Sequence, residues 1–217
     1  MTHHRPSLYR DIHKAVRLML HTLVGRASRT DFDDPSEVAA LRADTLRTFG
    51  LLESHAEHEN THMNPIVARV APEVAQRLDD EHDEQTLRMH GLLELLDAGE
   101  TSPAGRGHVF VVSLSRFFAE VESHMADEEE LAMPAIWSAL DDDAILAVEH
   151  AIVASIPPDE RMQWMRWFLP ALPARDREAM LTGMKQGAPP EAFAATLALA
   201  REVLPASEHP ALERLAA

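Results

Sequence analysis

Apolar residues recur along most of this chain three or four positions apart, the spacing of a helix face. Ser7 is placed to cap a helix from about Leu8, and Ile12, Val16, Met19, Leu20, Leu23 and Val24 carry its stripe into the Arg26 region. Asp31 to Pro35 breaks the pattern, and Asp34 followed by Pro35 has the form of an N-cap and first helical residue. A second stripe runs Val38, Leu41, Leu46, Phe49 and Leu52 and should end or kink at Pro65. A third opens at Pro72 and runs through Val74, Leu78, Leu87, Leu92 and Leu96 to a stop at Gly99. Ser102 and Pro103 repeat the cap-plus-proline device, and Phe110, Leu114, Phe117 and Val121 lead a fourth stripe to a kink at Pro134. No alternating Val/Ile/Thr run bounded by hairpin residues occurs. The expected class is therefore all-α, with an up-down four-helix bundle over residues 7–140.

The pattern contains a copy of itself. Glu53-Ser54-His55 with Glu59 and Pro65 recurs as Glu122-Ser123-His124 with Glu128 and Pro134, sixty-nine residues later and without a gap. The same offset pairs Asp11 with Asp80, His13 with His82, Leu18 with Leu87, His21 with His90 and Leu23 with Leu92. Two copies of this length do not make a solenoid. They read as two duplicated helix hairpins, residues 11–70 and 80–139, related by a pseudo-twofold axis.

After Asp141 the character changes. Prolines at 157, 158, 170, 173, 189, 190 and 205 punctuate short amphipathic pieces. Residues 141–217 are expected to form three or four short helices as an extension packed on the bundle, with Trp164, Trp167 and Phe168 as its core.

Composition narrows the function. The formal charge is -16, which repels phosphate backbones and anionic lipid, so neither nucleic acid nor membrane is an expected partner. There is no cysteine, which removes disulfides, iron–sulfur ligation and thiol catalysis. No signal-peptide core and no long apolar run occurs, and a cytoplasmic location is expected. A homodimer is left open.

The chemistry lies in the repeated His and Glu. At i and i+4 on a helix both side chains leave one face a turn apart and can share a metal ion. One such pair is a weak signal, because His and Glu at this spacing are common on solvated faces. Two copies of a three-residue set in one register are much harder to obtain by chance. The candidate ligands are His13, His55, Glu59, His82, His124 and Glu128, converging at one axial level of the core. Four imidazoles and two carboxylates suit two iron ions ahead of manganese or zinc. Two six-coordinate ions offer about twelve positions, of which these ligands and an oxo or hydroxo bridge leave about two open to dioxygen, peroxide or nitric oxide. Glu59 and Glu128 are each expected to bridge both ions, since only two carboxylates face two buried dications. His21 and His90 lie about 12 Å along the axis from His13 and His82 and are expected at the bundle end or in a cavity. His58 and His62 are expected at the surface or around the ligands, and Tyr9 in the core, within reach of a ligand.

The order His, H-x-x-x-E, His, H-x-x-x-E over four helices resembles the hemerythrin-like (HHE cation-binding) domain family, over about residues 7–140. The resemblance implies a hemerythrin-type up-down bundle around a non-haem di-iron centre, with ligand roles on the six residues named. Oxygen-carrying members place a second His four residues after the first on the third helix, and the residue four after His82 here is Thr86. They also end on an Asp set one residue further from its His, where this chain has Glu128. That looser ligand set favours sensing or buffering of iron, dioxygen or nitric oxide over reversible oxygen carriage. A di-iron oxidoreductase of peroxidase or oxidase type, and a helical interaction protein with a structural metal, are the alternatives. A ferritin-like oxidase would want two E-x-x-H motifs, and the bundle has Glu59 to His62 but Leu131 where the second His would stand.

Overall fold

A computed structural model describes residues 5–97 and 103–216, and every regular element among them is helical. Four long helices carry the first part: α1 (Arg10–Ala27), α2 (Pro35–His62), α4 (Pro72–Asp97) and α5 (Pro103–Asp127), with the short α3 (Asn64–Val67) between α2 and α4. A π-helical turn, Glu128–Ala132, follows α5 and leads into α6 (Met133–Ala139). Then come α7 (Asp142–Ser155), α8 (Pro158–Ala171), α9 (Ala174–Gly187), α10 (Pro190–Val203), a 3₁₀ turn at Ala206–Glu208 and α11 (His209–Ala216). None of the described helices is long and apolar enough to cross a membrane.

Local chemistry accounts for most boundaries. Asp34 caps α2 as expected, its side chain accepting from the Ser36 N–H with Pro35 in the first turn. Ser7 acts two residues later than expected: its Oγ accepts from the Arg10 N–H at 3.2 Å and α1 starts at Arg10, not Leu8. The expected stop at Gly99 and cap at Ser102 lie outside the described residues, and α5 begins at Pro103. The two proline kinks differ. Near Pro65 the helix breaks at Met63 and restarts as α3, whereas near Pro134 it stays helical by widening into the π turn.

By its contacts the chain divides into two compact units, residues 5–10 with 19–155, and residues 11–18 with 156–216. In the first, α4 packs against both α2 and α5. Arg42 on α2 grips Asp97 at the end of α4 through two hydrogen bonds of 2.5 and 2.9 Å. One apolar layer gathers Tyr9, Met63, Val67, Leu78, Met133, Ile136 and Ile145. Further along α2 and α5, Phe49 and Phe117 meet edge to face, 5.6 Å between ring centres. Two expected core positions are solvent-facing: Leu46 is 42% exposed and Leu87 is 71% exposed. The buried face of α2 runs Leu41, Thr45, Thr48, Phe49, Leu52, and that of α4 runs Leu78, His82, Met89, Leu92. Leu46 and Leu87 sit five residues past Leu41 and His82, well off those faces.

The second unit is more regular than its proline content suggested. Five α-helices follow Asp141, not three or four; α7 belongs to the first unit and α8 to α11 to the second. α8, α9 and α10 each span fourteen residues and follow Pro157, Pro173 and Pro189, which share an extended conformation near φ -55°, ψ 145° and recur every sixteen positions, as does Pro205. The residue before such a proline is pushed out of the helical region, as at Leu172 and Ala188, and each helix therefore stops there. Pro170 does not break α8; it sits in that helix's last turn. The core is built of leucines, Leu169, Leu181, Leu197, Leu199, Leu204 and Leu212, and not of the aromatics. Trp164 is buried, but Trp167 and Phe168 are only partly so. Arg177 is buried beneath α8, donating to the carbonyls of Leu169 and Leu172 at 2.8 and 3.1 Å and pairing with Glu208.

Candidate metal centre

Along α2, His55 and Glu59 fall between Phe49 and Met63; along α5 and the π turn, His124 and Glu128 fall between Phe117 and Met133. Polar ligands thus interrupt an apolar core. Glu59 and Glu128 are 2% and 0% exposed, and His13, His82 and His124 are also buried, with His55 slightly less so. Carboxylates so placed are expensive unless a positive charge lies beside them.

The structure gathers the six residues into two groups that share a member. Glu59, His82, His124 and Glu128 present ligand atoms within 4.8 Å of one another, and so do His13, His55 and Glu59. Glu59 divides its oxygens between the halves of the chain. Oε1 lies 3.1 Å from His55 Nε2 and Oε2 lies 3.3 Å from His82 Nε2. Glu128 Oε1 lies 3.3 Å from His124 Nε2 and 4.0 Å from His82 Nε2. The two Nε2 atoms of His82 and His124 are 2.9 Å apart. Of the two carboxylates expected to bridge, Glu59 belongs to both groups and Glu128 to one.

The imidazole tautomers follow from what their outer nitrogens meet. Asp79 accepts from Asn64 Nδ2 at 2.6 Å, which fixes the Asn64 amide. Asn64 Nδ2 also donates to Asn60 Oδ1 at 2.9 Å, so Asn60 turns its oxygen toward His82 Nδ1, 2.8 Å away. His82 therefore carries its proton on Nδ1 and presents a bare Nε2 inward. His124 Nδ1 lies 2.7 Å from Glu81 Oε2, with the same consequence. Two bare nitrogens 2.9 Å apart repel unless a positive charge joins them.

A cation fits this set. Ligand bonds of about 2.1 Å place neighbouring donors about 3.0–3.4 Å apart and opposite ones about 4.2 Å apart. The observed 2.9, 3.3, 3.3 and 4.0 Å match those edges. Without a metal, His124 takes up a proton. Burial alone lowers the His124 value, but the Glu128 charge and hydrogen bond, the Glu59 charge and the Glu81 hydrogen bond outweigh it and raise it to about 9. Tyr9, fully buried, has its hydroxyl pushed well above the usual phenol value by burial and then by the charges of Glu128 and Glu59, so it stays protonated beside the carboxylates.

The other four histidines weighed from the sequence, His21, His58, His62 and His90, lie elsewhere. His21 and His90 are solvent-exposed, not cavity-lining: His21 meets the edge of Phe118 at 4.5 Å and His90 lies 3.9 Å from Glu53. His58 Nδ1 is 2.5 Å from the Ser54 carbonyl and His62 Nε2 is 3.5 Å from Ser155 Oγ; neither joins the metal-competent groups. Asn60, Asn64, Asp79 and Glu81 escaped the sequence reading. The only signal was adjacency, since Asn60 follows Glu59 and Glu81 precedes His82.

A family model described as the hemerythrin HHE cation binding domain matches residues 6–143. No curated protein and no solved structure gives a significant match.

Proposed function

The chain belongs to the hemerythrin HHE cation-binding domain family, and from that premise we propose that it holds two non-haem iron ions within a hemerythrin-type four-helix bundle of α1, α2, α4 and α5. The observation that carries this reading is Glu59, whose two oxygens each face an imidazole from a different half of the repeat and which belongs to both metal-competent groups. His82, His124, Glu128 and Glu59 would hold one ion, and His13, His55 and Glu59 the other. Iron held there would supply redox chemistry toward a small ligand.

The chain's own residues set the conditions. Two buried carboxylates offset the charge of the dications. Asn60 and Glu81 keep each Nδ1 protonated, so each Nε2 is available to a metal. Tyr9 keeps a proton on its hydroxyl next to the carboxylates. The apolar layers around Met63 and Phe117 limit water. Such a protein senses or buffers iron, or a small ligand such as dioxygen, peroxide or nitric oxide. The test is anaerobic loading with ferrous iron, followed by elemental analysis and an optical spectrum before and after air. Two irons per chain, with near-ultraviolet absorption growing in air, are expected. One iron or none per chain overturns the reading.

A further inference from the structure

His82 and His124 are offered to the site in the same way, yet their outer nitrogens meet different chemistry. His82 Nδ1–H ends on the neutral amide oxygen of Asn60, which Asn64 and Asp79 lock in place. His124 Nδ1–H ends on a carboxylate, Glu81 Oε2, at 2.7 Å. Glu81 does not stand alone: Arg77 Nε lies 3.7 Å from its Oε1, and Arg77 Nη2 lies 2.9 Å from Asp127, the residue before Glu128. Arg77 thus ties the α4 face that carries Glu81 to the end of α5, which carries His124 and leads directly into Glu128. A hydrogen bond to an anion is shorter and stronger than one to a neutral amide, and it leaves the ring richer in electrons at the far nitrogen.

Resting on the cation-binding reading above, we propose that Glu81 is a positioning residue that makes His124 the stronger donor of the two adjacent imidazoles, whereas Asn60 orients His82 without adding charge. The centre is then electronically two-sided although its inner ligands are duplicated. By the sixty-nine-residue offset, Glu81 corresponds to Ile12 and Asn60 to Glu129, so the repeat imposes neither partner on the other half.

Glu81→Gln keeps an oxygen acceptor for His124 Nδ1–H and removes only the charge. Asn60→Asp does the reverse at His82. The probe is Zn²⁺ alone, which has no redox chemistry, titrated by competition with a chromophoric chelator into the full-length protein at fixed pH. Glu81→Gln is expected to weaken Zn²⁺ binding about tenfold or more, with helicity and stoichiometry unchanged, and Asn60→Asp to tighten it. In iron-loaded protein the midpoint potential should rise in Glu81→Gln and fall in Asn60→Asp, a pair of opposite shifts that a merely structural role would not produce. Zn²⁺ affinities within twofold of the unsubstituted chain in both variants, or shifts of the same sign, overturn the proposal while leaving the cation-binding reading intact. An unsubstituted chain that takes up no Zn²⁺ and no iron overturns both.

Discussion

The α1–α2 half and the α4–α5 half offer the same ligand types at the same spacing, yet they end differently. After Glu59 the first half breaks at Met63, and Asn64 at the start of α3 turns back to brace Asn60. After His124 the second half stays helical and widens into a π turn that begins at Glu128 itself. Extra backbone at a π turn shifts everything beyond it by part of a turn, and such turns recur at functional sites. Only Glu59, on the regular α-helix, belongs to both metal-competent groups. The inner donors repeat at one offset, whereas the backbone and the outer partners differ between the halves.

The strongest way to break this comparison is to remove each carboxylate in turn. Glu59→Gln should lose both metals, because it takes an oxygen from each group. Glu128→Gln should lose or weaken the His82–His124 metal and leave the other. Metal per chain, measured by elemental analysis after gel filtration, should fall toward zero in the first and toward one in the second. Equal loss in both variants would show that the two halves are as symmetric in function as in sequence.

Metal removal comes next in size. A cation at this site would offset the charge of the buried Glu59 and Glu128 carboxylates, which links binding to folding. At a free metal concentration one hundred times Kd, binding stabilises the fold by about 2.7 kcal/mol. For a domain of this size that corresponds to a rise in Tm of roughly 5–10 °C. Calorimetry with and without a chelator measures it, and coincident melting curves would contradict a metal held by those carboxylates.

How the halves differ also explains what could be read from the chain. All six candidate ligands were legible through one offset, because donors related by a pseudo-twofold would repeat in the sequence. Their outer partners need not. Asn60, Asn64, Asp79 and Glu81 correspond to Glu129, Met133, Arg10 and Ile12, so no repeat could flag them. The π turn was hidden for another reason: Pro134 announces a disturbance but not which way the helix yields. The helical class followed from periodicity alone. In the second unit the sixteen-residue spacing of Pro157, Pro173, Pro189 and Pro205 was present in the sequence, but Pro170, which a last helical turn tolerates, blurred it.

A smaller effect sharpens the difference through protons. In metal-free protein the folded-state value of His124, about 9, lies above the ordinary 6.5. A proton held more tightly when folded stabilises the fold fully below pH about 6.5, and that contribution fades as pH rises through about 9. Between those limits an incoming metal must displace it. Zn²⁺ added in weak buffer at pH 7.5 should release about one proton per chain from this group, and the release should vanish above pH about 9. Release that does not depend on pH across this window would mean that His124 is already neutral.

The smallest expected effect concerns Leu18 and Leu87, which the offset pairs as equivalents. Leu18 is partly buried on α1, whereas Leu87 on α4 is 71% exposed. If duplication governed packing as strictly as it governs the ligands, replacing either leucine by glutamine would cost the same. Burial says otherwise. Leu87→Gln removes apolar surface that already faces water and should change stability by no more than about 0.5 kcal/mol. Leu18→Gln takes an amide into a partly apolar setting and should cost more, on the order of 1 kcal/mol. For scale, Leu92→Ala, five residues along α4 on its buried face, should cost about 2–5 kcal/mol. Urea unfolding of the three variants measures the series through the shift in midpoint at constant slope. A Leu87 variant as damaged as the Leu18 variant would mean that the exposed side of α4 is covered in the protein in solution.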